Sequence, residues 1–278
     1  MKLIQTNEEL MAHIPNAIIS IKGETSLFEK IEVHIAQAEN WVRDTFTSDK
    51  TFNTIVGYTE DNPIRVNLCR LVVAEALHKA IPSLDLVFTP NGFAVTQTSN
   101  LTPASKQRVD RLIGSMLSQR DECIARLLPE LVGASQWLKS AQAQFFGSTM
   151  FPSLAIVEQV GNIQGSKWDK YCELRPQIID LEASIAEEFI SPELMEVLRQ
   201  RNLENSLRPV DRPLVAQIQA QITGYLRGGT FNARRLADCV NYIRQRPDSF
   251  PEWTGSATAE LFAPPVFRNK KKASGYFF

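Results

Sequence analysis

FEKIEVHIAQAENWVRDTF, residues 28–46, shows the clearest helical pattern of this chain, and the prediction of the fold starts from it. Its apolar side chains recur every three or four positions, which is the spacing of one buried face of an α-helix. These side chains are Ile31, Ile35, Ala38, Val42 and Phe46. Because Glu24-Thr25-Ser26 supplies N-capping residues just before it, the stretch predicts a long amphipathic helix packed on a core.

A second helix of the same kind starts 140 residues later. Trp168-Asp169-Lys170 stands where Phe28-Glu29-Lys30 opens the first stretch, and apolar residues again follow at steps of three and four. Each start is followed by a polar connection marked by proline, a second apolar helix and a third helix rich in arginine. The chain therefore predicts one helical plan used twice. The second copy departs in detail, because Pro176 is expected to kink or restart its first helix and a further helix begins at Ser191-Pro192.

The two copies differ between their second and third helices. In the first copy, the strand-like runs Leu84–Thr89 and Phe93–Thr98 flank Asn91-Gly92, a pair that favours the positive φ angles of hairpin turns. We therefore predict a β-hairpin at residues 84–98. Since two strands alone are marginally stable in water, it should lie on its own helices or pair with a neighbouring subunit. In the second copy only Arg227-Gly228-Gly229-Thr230 stands there.

These elements predict a mainly α fold with two helical subdomains, the first carrying the small β-hairpin, and an extended C-terminal tail. The first subdomain is expected at residues 1–133 and the second at residues 167–250. A bridge containing Gln, Ser and Gly, residues 134–166, is expected to pack partly on both. Residues 251–278 show no helical period and form the tail in this prediction.

The composition of the 278 residues is that of a globular protein, with 44% apolar and 22% charged residues and a net charge of −1. No apolar run approaches the length of a membrane-spanning helix, and no secretory signal stands at the N-terminus. We therefore expect a soluble cytosolic protein without a membrane partner. The four cysteines are widely spaced beside apolar residues, which predicts buried, reduced thiols rather than a zinc site.

The sequence contains no pattern typical of a catalytic or cofactor site. Glu75-Ala-Leu-His78 has the spacing of a di-iron helix, but the chain holds only three histidines and no second such motif. A solvent-facing pair is the favoured interpretation. Gly228-Gly229 lacks the lysine and the spacing of a phosphate loop, and no serine lies in a nucleophile elbow. We therefore expect no enzyme activity, no metal and no cofactor.

The C-terminal tail combines cations with aromatic rings. From residue 264 onward it carries four basic residues and no acid, and it ends on three aromatic residues. One interpretation is a disordered end. The other, which we favour, is an anchor whose rings enter a groove on a neighbouring subunit while the cations meet acidic surface or phosphate. The predicted binding residues there are Phe267, Arg268, Lys270, Lys271, Lys272, Tyr276, Phe277 and Phe278.

The later half of the chain separates its charges. Residues 201–246 contain eight arginines and three acids, whereas residues 167–196 contain eight acids and three bases. In the favoured interpretation the arginines cover helix faces and pair with acids, within one subunit or between neighbours. A surface that faces DNA is the alternative, although the sequence shows neither a helix-turn-helix nor a zinc-finger pattern.

The first half of the chain resembles the head–tail connector (adaptor) proteins of tailed bacteriophages and prophages. The resemblance covers residues 5–131 and rests on the helices at 26–46, 63–81 and 103–131 and on the hairpin. It implies a small helical domain with a protruding hairpin or loop that assembles as a ring, typically of about twelve copies. Such a ring lies beneath the portal and extends the DNA channel toward the tail.

The resemblance predicts a virion structural protein, assembled in the cytoplasm of the host bacterium. Its partners would be further copies of itself, the portal protein, tail or further connector proteins, and packaged DNA that passes without sequence-specific contact. At the tip of the hairpin, Asn91, Gly92 and Phe93 join the tail residues as the predicted partner-binding site. A monomeric helical adaptor or a DNA-associated regulatory protein is the alternative function.

Overall fold

The computed structural model describes residues 2–14, 25–84, 86–89, 92–95, 105–161 and 165–264. Helices dominate these residues, which confirms the prediction of a mainly α fold. None of the helices described has the length and the apolar character needed to cross a membrane. The α-helices are α1 Asn7–Ala12, α2 Leu27–Val42, α3 Ser48–Val56, α4 Pro63–Ala80, α5 Lys106–Val132, α6 Ala141–Gly147, α7 Ala155–Val160, α8 Lys167–Ile185, α9 Pro192–Leu203, α10 Asp211–Leu226, α11 Ala233–Arg244, α12 Pro251–Thr254 and α13 Ala257–Leu261.

Residues 2–147, here called the N-terminal unit, are built on three long helices. α2 packs on α4, and α4 packs on α5. α4 is buried on nearly all sides, which explains why apolar residues fill so many of its positions. The predicted stripe from Ile31 to Phe46 is buried as expected. A π-helical turn, Arg43–Thr47, leads from α2 into α3, where Ser48 adopts a positive φ of 68°.

Residues 150–264, here called the C-terminal unit, repeat this order of elements. The short helix α7 precedes the long helix α8, as α1 precedes α2. A π-helical turn, Ala186–Ile190, leads from α8 into α9, and Ser191 adopts a positive φ of 75°. α10 then packs on α8 and α11. The buried side chains of the two units form one continuous core.

From α2 through α3 and from α8 through α9, equivalent residues lie 143 positions apart, not the 140 that the helix starts suggest. Both stretches read Glu-x-x-(Val/Ile)-x-x-x-Phe-x-Ser, from Glu39 to Ser48 and from Glu182 to Ser191. The difference of three arises because α8 begins one turn earlier than α2. The buried pairs include Ile31 and Leu174, Ile35 and Ile178, Ala38 and Leu181, Val42 and Ile185, Phe52 and Met195, and Ile55 and Leu198.

The end of each unit repeats a second pattern, with its residues 116 positions apart. Trp137 and Trp253 each open the sequence Trp-x-x-Ser-Ala-x-Ala-x-x-Phe. Each indole N–H donates a hydrogen bond to the carbonyl of the equivalent phenylalanine, Phe46 or Phe189. The serine of each pattern then caps the following helix, α6 or α13. The two units therefore share side-chain hydrogen bonds as well as an order of elements.

A buried glutamate in each first long helix holds the segment with which the unit starts. Glu39 Oε1 accepts hydrogen bonds from the backbone N–H groups of Leu3 (2.6 Å) and Ile4 (3.1 Å). Glu182 Oε1 accepts one from the N–H of Met150 (2.7 Å). Because a buried carboxylate is costly unless it is hydrogen-bonded, these bonds fix the position of the incoming chain in both units.

The N-terminal unit carries an insertion that the C-terminal unit lacks. Only residues 227–232 separate α10 from α11, whereas the equivalent stretch of the N-terminal unit is residues 81–116, here called the arm. The arm contains a 3₁₀ turn, the strands β1 Leu86–Thr89 and β2 Gly92–Val95, and the first part of α5. The two strands pair antiparallel, with Leu86 opposite Val95. The first part of α5 is mostly exposed as far as residue 115.

Two boundaries differ from the prediction. Residues 134–166 are not a bridge, because those up to Gly147 complete the N-terminal unit and those from Met150 open the C-terminal unit. The extended tail does not begin at residue 251, because residues 251–254 and 257–261 form the helices α12 and α13. Trp253 of α12 is buried in the core. Both segments are built of helices too short to show a period in the sequence.

α8 continues through Pro176 without a break. Pro176 is exposed, while Leu174 and Ile178 on either side of it are buried. Water can therefore satisfy the carbonyl oxygen that loses its partner to the missing N–H of the proline. The prediction that this helix restarts at Pro176 is wrong.

Candidate functional site

The predicted partner-binding residues fall mainly outside the described residues. Gly92 and Phe93 are the first residues of β2 and lie opposite Thr89 and Phe88 of β1. Asn91 lies outside the described residues. So do all the predicted residues of the tail, which are Phe267, Arg268, Lys270, Lys271, Lys272, Tyr276, Phe277 and Phe278.

The two units meet at a cluster of aromatic rings. Trp168 of α8 packs on Phe46 and Phe146 of the N-terminal unit, with ring centroids 4.8 and 6.3 Å apart. Tyr171 stacks on Phe146 at 6.3 Å, and its hydroxyl donates a hydrogen bond of 2.8 Å to the carbonyl of Phe151. Burial raises the pKa of Tyr171 to about 12, so the phenol stays neutral at physiological pH. These rings form the inner part of the junction.

Phe145 extends this cluster to the surface, where a cation covers it. Its side chain is 36% exposed, and the guanidinium of Arg175 lies 3.7 Å from the centroid of the ring. A cation this close to an aromatic face is attracted by the ring quadrupole. The surface formed by Phe46, Phe145 and Phe146 is here called the N-terminal face. Two rings and one cation from α8 cover it.

The C-terminal unit has the equivalent surface, and less of it is covered. The equivalent residues are Phe189, Leu261 and Phe262, here called the C-terminal face. Phe189 and Phe262 pack together with ring centroids 6.4 Å apart, but both are only partly buried and Leu261 is 71% exposed. Within the described residues, Trp253, the equivalent of Trp137, is the aromatic ring that packs on this pair, and no further ring takes the place that Trp168 has on the N-terminal face.

Acidic residues accompany the C-terminal face. Glu187 and Glu188 lie in the π-helical turn beside Phe189, and Glu260 lies beside Leu261; all three are exposed. A hydrogen bond of 3.2 Å from the Thr258 hydroxyl to the carbonyl of Glu187 holds the two segments together. The equivalent positions of the N-terminal unit hold one acid and two uncharged residues, Asp44, Thr45 and Gln144.

A buried ion cluster ties the start of α8 to α4 and α5. Arg120 is 3% exposed and Glu75 is 5% exposed, and Arg120 Nη1 donates to Glu75 Oε2 at 2.9 Å. Arg120 Nη2 donates to Asp169 Oδ2 at 3.2 Å and to the hydroxyl of Ser166. Leu236 stands 116 positions after Arg120, and Gln221 stands 146 positions after Glu75, which is the spacing that pairs the buried Leu68 and Val72 of α4 with the buried Leu214 and Ile218 of α10. The C-terminal unit therefore has no ion pair at these two positions.

Asp121 caps α8 from outside that helix. Its carboxylate is 5% exposed and accepts hydrogen bonds from the N–H groups of Lys167 and Trp168 and from the hydroxyl of Ser166. A carboxylate at a helix N-terminus satisfies free N–H groups and interacts favourably with the helix dipole. Asp121 thus fixes the end of α8 that carries Trp168.

The Glu75-x-x-His78 motif is not the solvent-facing pair that the sequence predicts, since Glu75 is buried against Arg120. Burial lowers the pKa of His78, so its imidazole is neutral at physiological pH. A cavity of about 310 Å³ opens beside Glu75 and Arg120 and is lined in part by His34, Trp41 and Lys79. Across the described stretches, no three histidine, cysteine or acidic side chains are grouped closely enough to hold a metal.

A second cavity, also of about 310 Å³, lies between the units. Its lining includes Pro129, Trp137, Phe151 and Ile156 but no titratable side chain. The carbonyl of Met150 beside it already accepts hydrogen bonds from the side chains of Asn202 and Gln219. The cavity is therefore lined by apolar side chains together with amides and the hydroxyl of Ser153, and no acid or base stands in its lining to activate that hydroxyl.

The thiols lie as the sequence predicts. Cys69, Cys123 and Cys239 are buried and unpaired, and burial raises the pKa of each to about 11. They are therefore protonated and unreactive at neutral pH. Cys172 is half-buried, and burial raises its pKa as well.

Several arginines of the later half pair with acids inside the unit. Arg201 and Arg208 both bind the buried carboxylate of Asp211, at 3.3 and 2.8 Å. Burial alone would raise the pKa of Asp211, but the hydrogen bonds from Arg208 outweigh it and the pKa is lowered. Arg199 binds the buried Glu182 at 2.7 Å. Of the eight arginines in residues 201–246, Arg201 and Arg208 thus pair with an acid within the subunit, as the favoured interpretation expects.

Comparison with known proteins places one part of the chain in relation to a family. Residues 18–147 match the model of a family of unknown function, DUF6712. The match covers less than half of the chain and ends at Gly147, which is also the last residue of α6. No curated protein and no solved structure matches the chain. The matched segment therefore lies within the N-terminal unit and shares its C-terminal boundary.

Proposed function

We propose that this chain is a virion structural protein, a ring-forming connector that joins the portal of a phage to its tail and extends the DNA channel. The observation that carries the proposal is the arm, residues 81–116. It stands on a scaffold of two similar units, and only one of them has it. A two-stranded sheet and a helix start that is mostly exposed suit contact with another molecule better than they suit a catalytic pocket.

We infer that the two units arose by duplication of one ancestral unit. The support is the pair of repeated patterns, 143 and 116 positions apart, together with the matched hydrogen bonds of Trp137 and Trp253. Two similar units at a fixed separation present two similar sets of surfaces. This arrangement suits a protein that holds a partner on each side.

The arm supports a ring because its sheet is incomplete by itself. β1 and β2 form a sheet of two strands, and such a sheet is marginally stable unless it packs or pairs further. A strand edge can pair with another chain. When a contact of this kind joins two different surfaces of identical subunits, repetition closes a ring if the rotation permits.

The portal protein, the tail or a further connector, and passing DNA are the partners in this proposal. They follow from the resemblance of residues 5–131 to head–tail connectors. The contact with DNA would carry no base specificity, and Arg201 and Arg208 would take no part in it because both pair internally with Asp211.

The oligomeric state of the purified chain tests the proposal. The matched variant replaces residues 81–116 with a second copy of residues 227–232, so that the N-terminal unit receives the connection that the C-terminal unit already uses. We expect the wild-type chain to form rings in negative-stain images and a single high-mass species by native mass spectrometry. The variant should stay monomeric and still unfold cooperatively by circular dichroism, with a helical signal reduced only by the part of α5 that it lacks, residues 106–116.

Two results would contradict the proposal. One is a wild-type chain that remains monomeric at every concentration, both alone and mixed with the portal protein of the same phage. The other is an arm-less variant that forms the same rings as the wild type, since the arm would then play no part in assembly. Steep salt-dependent binding to duplex DNA by a monomer would favour the DNA-associated alternative instead.

A further inference from the structure

We propose that the C-terminal face, Phe189, Leu261 and Phe262, is the docking surface for residues 265–278 of a neighbouring copy of the chain. This inference rests on the proposed ring and deepens it by naming a contact between subunits. Its starting point is the exposure of Leu261, 71% of whose surface is open, at a position that has an aromatic counterpart in the N-terminal unit.

The N-terminal face shows what chemistry covers such a surface. There the cover consists of Trp168 and Tyr171, with Arg175 over the exposed ring of Phe145 at 3.7 Å. Two aromatic rings and one cation therefore complete the face. The C-terminal face has the equivalent phenylalanine pair, with ring centroids 6.4 Å apart. We therefore expect aromatic rings and a cation to bind there as well.

The charges beside the two faces differ, and the difference selects the occupant. Glu187, Glu188 and Glu260 are exposed beside the C-terminal face, and no ion pair within 4.0 Å is formed by any of them among the described residues. A cationic segment is favoured there. Residues 265–278 carry four basic residues, no acid, and four aromatic residues. They match both the apolar and the acidic character of the face.

We assign the covering segment to a neighbouring copy by analogy with the N-terminal face. That face is covered by the unit that follows it in the chain, the C-terminal unit. In a ring, the unit that follows the C-terminal unit belongs to the neighbouring subunit. The neighbour's α2 cannot supply the cover itself. It starts one turn later than α8, and Thr25 stands where α8 has Trp168. The aromatic residues must therefore come from elsewhere, and residues 265–278 have them.

Cysteine cross-linking between separate full-length chains tests the contact. One chain carries Leu261→Cys and the other Phe277→Cys, and both carry Cys172→Ser, because the other three native thiols are buried. The chains are mixed and mildly oxidised. We expect a disulfide-linked dimer on non-reducing gels, at least tenfold stronger than from the matched control in which the first chain carries Val33→Cys on the exposed surface of α2.

Charge reversal provides an independent measurement in the same mixture. Glu187→Lys with Glu188→Lys should reduce the cross-linked dimer severalfold, and Lys271→Glu with Lys272→Glu in the other chain should restore it. A merely structural effect of the first pair of changes would not be rescued by changes in residues 265–278.

The outcomes separate this inference from the proposed function. A cross-link that forms only within a chain carrying both cysteines overturns the neighbouring copy as source. A dimer no stronger than the control overturns the docking itself. If rings are seen in either case, the connector proposal stands while this contact fails. If the chain never assembles, the connector proposal fails and the mixed cross-link is absent with it.

Discussion

The N-terminal and C-terminal units place equivalent residues in equivalent helices, yet among the described residues only the N-terminal unit has its aromatic face covered by rings and a cation from another helix. The inner hydrogen bonds are kept in both: Trp137 and Trp253 bind the same carbonyl position, and Glu39 and Glu182 hold the same incoming segment. The differences lie at surfaces where something else attaches. The two units therefore differ on the surfaces that contact other segments, while the hydrogen bonds of the buried tryptophans and glutamates are the same in both.

Removing the two tryptophans tests whether their hydrogen bonds stabilise both units to a similar extent. Trp137→Ala and Trp253→Ala should each lower the free energy of unfolding by about 3–5 kcal/mol, since each deletes a buried ring and one hydrogen bond. Trp137→Ala should lie at the upper end, because Trp137 is fully buried beside Phe146 at the junction of the units. Urea unfolding followed by circular dichroism measures both values. A cost near zero for Trp253→Ala would show that α12 and α13 do not belong to the core.

The ion pair between Glu75 and Arg120 is a difference between the units that can be tested, because the C-terminal unit has Gln221 and Leu236 at the equivalent positions. Arg120→Leu should destabilise the chain by about 3–5 kcal/mol, since it leaves the carboxylate of Glu75 buried without its partner. Adding Glu75→Gln reproduces Leu236 and Gln221, the residues of the C-terminal unit. The double variant should recover part of the loss in urea unfolding. Additive costs would mean that the two side chains do not interact.

Much of the helical architecture could be predicted from the sequence, because long helices repeat their buried residues at a visible period. The stripe from Ile31 to Phe46 is an example, and it is buried as predicted. The register of the two units could not be read from Phe28 and Trp168, because α8 has an additional turn at its start. Buried residues, and not helix starts, set the register.

The closing segments and the junction were missed for a different reason. α6, α12 and α13 are too short to show a period, and each unit instead ends through one tryptophan that binds a carbonyl distant in sequence. The repeated Trp-x-x-Ser-Ala-x-Ala-x-x-Phe was visible in the sequence and would have found them. The burial of Glu75 was not visible, since its partner Arg120 lies 45 positions away.

The pH dependence of stability depends in part on the buried Glu182. Burial raises the pKa of Glu182 above its ordinary value of 4.5, although Arg199 acts in the opposite direction. The folded chain therefore binds this proton more tightly than the unfolded chain. The contribution of Glu182 to stability grows as the pH falls from neutral through its folded pKa toward 4.5 and is lost as the pH rises.

Glu182→Gln should remove this contribution, so the variant should gain less stability than the wild type between about pH 7.5 and about pH 5.5. Glu39→Gln is the matched control and should keep the gain, because Glu182 is intact in it. Urea unfolding of the three proteins at both pH values measures the difference. Equal pH dependence in all three would show that Glu182 does not take up a proton in this range.

The smallest expected effect concerns the two serines after the π-helical turns. Ser48 and Ser191 adopt φ and ψ of 68° and 159°, and of 75° and 143°, a region that favours glycine and costs other residues about 1–3 kcal/mol. Ser48→Gly should therefore stabilise the chain by about 1 kcal/mol. Ser191→Gly should do so slightly less, because the cap that is lost is shorter there: Ser191 Oγ accepts the N–H of Leu194 at 3.2 Å, and Ser48 Oγ accepts that of Thr51 at 3.4 Å.

Alanine at the same two positions should have the opposite sign. Ser48→Ala and Ser191→Ala keep the strained backbone and lose the side-chain cap, so each should lower the melting temperature, Ser191→Ala by more. Thermal unfolding by circular dichroism compares all four variants. If glycine raises the melting temperature in one unit but lowers it in the other, then the two turns have different backbones and the units are less alike than their sequences indicate.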